Sequence, residues 1–142
     1  MIFWDSSAIV PLCVSEPSSA TVKSILADDP VAVVWWTTRT ECISALARQT
    51  REGGITLAGE RQARDVLHKF AGTWIEIQPT NSLRAVAERL LGVHALRAAD
   101  AFQLAAALQW CRGEASGMSL ACFDGRLRSA AHREGFNVLP SE

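Results

Sequence analysis

The sequence predicts an α/β protein: a central parallel sheet of about four to five short strands flanked by helices on both faces, in a single domain over residues 1–142. Three observations lead there. Apolar runs too short for helices alternate with helix-period segments from end to end. VAVVWW (Val31–Trp36) is an unbroken β-branched and aromatic run, as in a parallel strand covered on both faces. Finally, AADAFQLAAALQWC is apolar almost all round and reads as a central helix.

The elements follow in order. Met1–Trp4 is an apolar run with no room for a helix and reads as a strand. Ser6–Leu12 forms a brief helix that ends around Pro11, and Ser15-Glu16-Pro17 caps the next, over about Pro17–Ala27. Asp28-Asp29-Pro30 turns the chain into the second strand, Val31–Trp36. Thr37 and Thr38 then cap a helix through about Arg51, which Gly53-Gly54 ends. Thr56 opens another, with Ala63, Val66, Leu67 and Phe70 at helical spacing before Gly72. Trp74–Ile77 is the third strand, and Thr80–His94 an amphipathic helix with Leu83, Val86, Ala87, Leu90 and Leu91 on one face. The apolar helix Ala99–Cys111, a strand over Met118–Phe123, a helix over Arg126–Arg133 and a short strand Phe136–Leu139 complete the chain.

Composition narrows the function classes. The 142 residues are 49% hydrophobic and 20% charged with a net charge of −1, so no global basic field advertises a polyanion partner; any such site is a local patch. Lys23 and Lys69 are the only lysines, and the arginines that make up the other cations offer planar forks suited to phosphate or carboxylate. Cys13, Cys42, Cys111 and Cys122 are widely spaced with no C-x-x-C pair, which fits reduced core thiols in a cytoplasmic protein. No secretory leader is evident and the most apolar helix, interrupted by Asp100, is too short to span a membrane. No G-x-G-x-x-G or P-loop motif occurs. A thiol dyad of Cys42 with His68 or His94 has no signature to support it. The five tryptophans read as core and not as base-stacking platforms.

Four acids remain. Asp5 follows the first strand and reads either as a helix N-cap or as a site residue. Glu41 sits in the first turn of a helix and fits a capping box from Thr38, or a site. Asp100 opens the most apolar helix and reads either as another cap or as a site residue, since a buried carboxylate there needs partners, a metal or a proton. Asp124 lies in an Asp-Gly turn and also suits a cap. Three of the acids read as following strands directly and the fourth as one helical turn past a strand's end. An open parallel sheet delivers its strand exits to one edge, where ligands bind. Clustered carboxylates repel one another, and a hard divalent cation relieves them; an all-oxygen rim suits Mg²⁺ or Mn²⁺. The chemistry natural to that centre is phosphodiester hydrolysis, with Arg39, Arg97 and Arg126 close to the acids in sequence as phosphate holders or local ion pairs.

DSSAIVPL, TECISALAR, LRAADAFQLAAAL and FDGRLRSAAHREGFNVL, in that order, resemble the PIN-domain ribonucleases, and among them the small VapC-type toxins of toxin–antitoxin pairs. The resemblance implies a PIN-like three-layer α/β/α fold and a Mg²⁺- or Mn²⁺-dependent endoribonuclease that arrests translation. It matches Asp5, Glu41 and Asp100 to the family's three regular acids, Asp124 to a more variable fourth, and Ser7 to a serine kept beside the first. It also implies a homodimer and a VapB-type antitoxin whose C-terminal segment lies across the groove. One departure is Cys122, where the family often has Thr or Ser two residues before the last acid; the thiol puts the hydroxyl's supporting role in doubt. Two other classes compete. A non-catalytic PIN-like RNA- or protein-binding module would not need the four acids. A receiver- or phosphatase-type phosphoryl-transfer protein needs a second acid beside Asp5 and a late lysine, and the chain has neither.

Overall fold

The β-branched and aromatic runs pair as the pattern requires. In a computed structural model, which describes residues 1–141, five parallel strands form one sheet in the order β3-β2-β1-β4-β5: β1 (Ile2–Trp4), β2 (Ala32–Trp35), β3 (Ile75–Ile77), β4 (Ser119–Ala121) and β5 (Asn137–Leu139). Seven helices cover it: α1 (Ser6–Cys13), α2 (Ser19–Asp28), α3 (Thr38–Arg51), α4 (Leu57–Ala71), α5 (Asn81–Leu91), α6 (Ala98–Trp110) and α7 (Gly125–Glu134). The period-2 alternation of strand side chains divides the core into two layers. Phe3, Val33 and Leu120 face Leu83, Leu90, Leu104 and Leu127 of α5, α6 and α7. Ile2, Trp4 and Val34 face Ile9, Val22, Leu46 and Leu67 of α1 to α4. The result is a three-layer α/β/α sandwich.

Local chemistry sets the helix ends. Thr56 and Thr80 accept from the backbone N–H of Gly59 and Leu83 to cap α4 and α5, and Gly135 takes the left-handed conformation (φ 103°) that ends α7 before β5. Most strands are a residue or two shorter than expected, β4 spanning Ser119–Ala121 and not Met118–Phe123, and four boundaries differ for reasons visible in the structure. α1 runs through Pro11 to Cys13, because the proline removes only its own N–H bond and the Val14 N–H still reaches the Val10 carbonyl at 3.1 Å. α2 begins at Ser19 and not at Pro17: the Ser19 hydroxyl accepts from the Glu16 N–H and donates to the Val14 carbonyl, tying the approach into a turn. β2 ends at Trp35, so Trp36 lies outside the strand and is 51% exposed, unlike the buried Trp4 and Trp35. α5 stops at Leu91 on Gly92; His94 leaves the helix and pairs instead with Glu134 at 2.9 Å. All four cysteines are free, and among the described residues no helix is long and apolar enough to cross a membrane.

In this strand order the chain switches direction across the sheet between β1 and β4, which is where ligand crevices open in parallel α/β sheets. Asp5 follows β1 directly and Asp124 follows β4 by three residues, one on each side of that switch.

Candidate active site

Asp5 is 4% exposed at the end of β1. Its Oδ2 accepts from the Ser7 N–H at 3.0 Å and the Ser7 hydroxyl at 2.5 Å, so it is indeed the N-cap of α1. Capping does not exhaust its role, because burial dominates its electrostatics and raises its pKa despite those bonds. The Cys122 thiol lies 3.6 Å from the same oxygen, and the Ser7 hydroxyl accepts from the Phe123 N–H at 2.9 Å. Burial pushes the Cys122 thiol up as well, so it stays protonated and donates. It also accepts from the Asp124 N–H at 3.2 Å. The thiol thus occupies the bridging position between the first and fourth acids in which a hydroxyl was expected.

Glu41 projects from the first turn of α3, but the capping box with Thr38 does not form. Instead Glu41 Oε2 accepts from the Thr37 hydroxyl at 2.8 Å and from Gln103 Nε2 at 2.9 Å, while Thr38 accepts from the same Gln103 amide at 2.9 Å. Burial is the main cause of its raised pKa, opposed by Thr37 and Gln103 and reinforced by the charges of Asp5 and Asp100.

Asp100 reaches the rim from the first turn of α6, not from a strand. The element before α6 is α5, so this acid arrives on a helix N-terminus whose N-cap residue is Arg97. Nor is Asp100 a cap: among the described residues its carboxylate has no hydrogen-bond partner. Its pKa is raised by partial burial first, then by the charges of Asp124 and Asp5, and lowered by Arg97 and Arg126. Asp124 is exposed and caps α7 by accepting from the Leu127 N–H at 2.9 Å.

Each pairwise repulsion names the same neighbourhood. Asp5 acts on Glu41 and Asp100, Asp100 on Glu41, and Asp124 on Asp100. Asp5 and Asp124 thus follow β1 and β4 at the C-terminal edge of the sheet, and Glu41 and Asp100, on the first turns of α3 and α6, lie near enough to Asp5 to feel its charge. Arg97 and Arg126 lie near Asp100, whereas Arg39 does not join them and lies against His68 of α4. Among the described residues no group of three or more His, Cys, Asp or Glu side chains is already gathered to hold a metal ion. The donor chemistry still fits a hard cation: carboxylate oxygens only, without histidine. A groove lined by Ser6, Ser7, Glu16, Glu41, Ser44 and Arg48 opens beside Glu41. A larger hollow, at Phe123, Arg128, His132 and Val138, contains no acid and lies outside this chemistry.

The sequence reading gives Gln103 no role and Thr37 only that of a helix cap. A lone glutamine inside an otherwise apolar helix was the available signal.

No protein-family model matches the chain. Two curated relatives, Ribonuclease VapC45 of Mycobacterium tuberculosis strain CDC 1551 / Oshkosh and Ribonuclease VapC49 of strain ATCC 25618 / H37Rv, are each 30% identical to it over 145 residues, spanning 100% of this chain and 96% of the relative. Among solved structures, Mycobacterium tuberculosis VapC20, described as a sarcin-ricin loop cleaving toxin, superposes with a TM-score of 0.68 at 20% identity, over 92% of this chain and 95% of that one. FitAcB from Neisseria gonorrhoeae gives 0.64 at 20% identity over 96% and 97%. The structural likenesses establish the fold; the full-length sequence identity establishes the relationship, and the chain belongs to the VapC family of PIN-domain ribonucleases.

Proposed function

We propose that this protein is a Mg²⁺- or Mn²⁺-dependent endoribonuclease and the toxin of a toxin–antitoxin pair, hydrolysing RNA phosphodiesters and thereby arresting translation. The observation that carries the reading is the placement of Asp5 at the end of β1, beside the switch point of the sheet, with Glu41 and Asp100, from distant parts of the chain, on the first turns of α3 and α6 and near enough to feel its charge. The two curated relatives named as ribonucleases support the reaction class.

Asp5, Asp100 and Asp124 would hold the cation directly or through water, and Glu41 would either ligate it or take the proton of the attacking water. A bound divalent ion supplies a water of lowered pKa and offsets charge on the phosphoryl oxygens. The protein's own contribution is positioning. Ser7 and Cys122 fix Asp5, Thr37 and Gln103 fix Glu41, and the exposed Arg97 and Arg126 face the rim where RNA phosphates would lie. Arg39, in contact with His68, is left out of this role. Toxin–antitoxin complexes among the structural neighbours support a VapB-type antitoxin that covers the groove, and a homodimer remains part of the proposal.

The test is cleavage of a labelled RNA by purified protein with Mg²⁺ or Mn²⁺, set against the chelated protein and Asp5→Asn, Glu41→Gln and Asp100→Asn. Each variant should fold and lose at least about 100-fold in rate, and should no longer arrest growth on induced expression. Wild-type rates in Asp5→Asn and Asp100→Asn would show that these carboxylates are not the catalytic centre.

A further inference from the structure

Gln103 lies in the middle of the most apolar helix, is fully buried, and is flanked by Phe102, Leu104 and Ala105. A leucine would pack there without a polar atom to satisfy. The glutamine instead leaves its Oε1 buried with no hydrogen-bond partner among the described residues, an unfavourable arrangement for which packing gives no reason. What it gains is on the other side of the amide. Nε2 donates at 2.9 Å both to Thr38 Oγ1 and to Glu41 Oε2. The reversed amide would point an oxygen at a carboxylate, so the network itself fixes the orientation. The Thr37 hydroxyl donates to the same Oε2 at 2.8 Å. Two donors therefore hold one carboxylate oxygen, and among the described residues Glu41 Oε1 is the oxygen left without a hydrogen-bond partner, beside the groove that Glu41 lines.

We infer that Gln103 is a positioning residue for the reaction: from behind the site it locks Glu41 through Oε2, so that Oε1 is presented to the metal-bearing rim. This rests on the nuclease reading above. The competing role is a strut, in which Gln103 ties α6 to α3 through Thr38 and its bond to Glu41 is incidental. The two differ in which broken bond matters.

The experiment compares Gln103→Leu, Gln103→Met and Thr38→Val with wild type in thermal melts, Mn²⁺ titration calorimetry and steady-state RNA cleavage. It then repeats Gln103→Leu in a Glu41→Gln background. Positioning predicts that the Gln103 variants fold, lose about tenfold or more in kcat with KM little changed, and bind Mn²⁺ several-fold more weakly. Thr38→Val should keep both properties, and Gln103→Leu should add no further loss once Glu41 is already Gln. The inference is overturned if either folded Gln103 variant cleaves and binds Mn²⁺ as wild type does. It is equally overturned if Thr38→Val matches Gln103→Leu, if the Gln103 variants unfold, or if the loss persists undiminished without the Glu41 charge. An active Glu41→Gln would sink the nuclease reading itself; an inactive Glu41→Gln beside a fully active Gln103→Leu sinks only this inference.

Discussion

Asp5 performs two tasks whose energetics oppose each other. Its carboxylate caps α1, yet burial raises its proton affinity above the ordinary value of 3.8. The sign follows from proton linkage. Across the window between the unfolded and the raised folded pKa the folded state binds more protons, so stability falls as pH rises through it, and the full penalty stands above the folded pKa. Asn keeps an acceptor for the Ser7 N–H and removes the buried charge. In metal-free buffer Asp5→Asn should therefore melt above wild type at neutral pH, by about 2–4 °C for each kcal/mol relieved. The difference should shrink as pH falls toward 3.8; differential scanning calorimetry reads both. A variant that melts lower at pH 7 would make Asp5 a stabilising cap and little else. Arg97 and Arg126 belong to the same scale: replacing either by Ala should raise KM for RNA more than it lowers kcat, since exposed phosphate contacts serve binding. At this scale the sequence was legible in part. The four acids could be named from their places in the chain pattern, but the Thr38 capping box and the Asp100 cap do not form, and Arg39 lies against His68. Each was judged from neighbours in sequence, while the deciding partners, Gln103 for Thr38 and Glu41 and His68 for Arg39, lie 29 to 65 positions away.

At the scale of elements, α6 supports the site from behind. Its buried face joins the sheet to α5, and its first turn holds Asp100 at the rim. Leu104→Ala should cost about 2–5 kcal/mol through the cavity it leaves, seen as a lower Tm and partial loss of cleavage as the first turn loosens. Thr80→Ala, which removes only the α5 cap, should cost about 1 kcal/mol and leave the cleavage rate at 25 °C unchanged. Equal activity losses in the two would show that α6 has no special relation to the centre. Nearly every strand and helix was legible, because each is bounded by a turn residue and long enough to display its period. The errors fell where a local signal was outvoted. Pro11 failed to stop α1, since one missing N–H does not undo a buried helix, and Val31–Trp36 lost its two end residues, Val31 and Trp36, which are exposed while the four between them are buried.

The molecule as a whole is a scaffold that forces like charges together. Parallel strands put their exits on one edge, and two of the acids arrive there on the N-terminal turns of α3 and α6, whose partial positive ends favour negative charge. Burial raises the proton affinities of Asp5, Glu41 and Asp100 there, and the neighbouring carboxylates add to it at Glu41 and Asp100. A divalent ion that binds only the folded protein should therefore stabilise it, by about 2.7 kcal/mol at a hundredfold excess over Kd, and Mg²⁺ or Mn²⁺ should raise Tm in wild type and not in Asp100→Asn. Strand order leads to the expectation of convergence but not to the route of Asp100, because a helix that follows a helix gives no sequence sign of which sheet edge it meets. The most direct test of the central claim is a calorimetric titration of Mn²⁺ into wild type, Asp5→Asn and Asp100→Asn at neutral pH. Saturable binding in wild type that both substitutions abolish is the predicted result; no binding, or binding that survives both, would contradict the account.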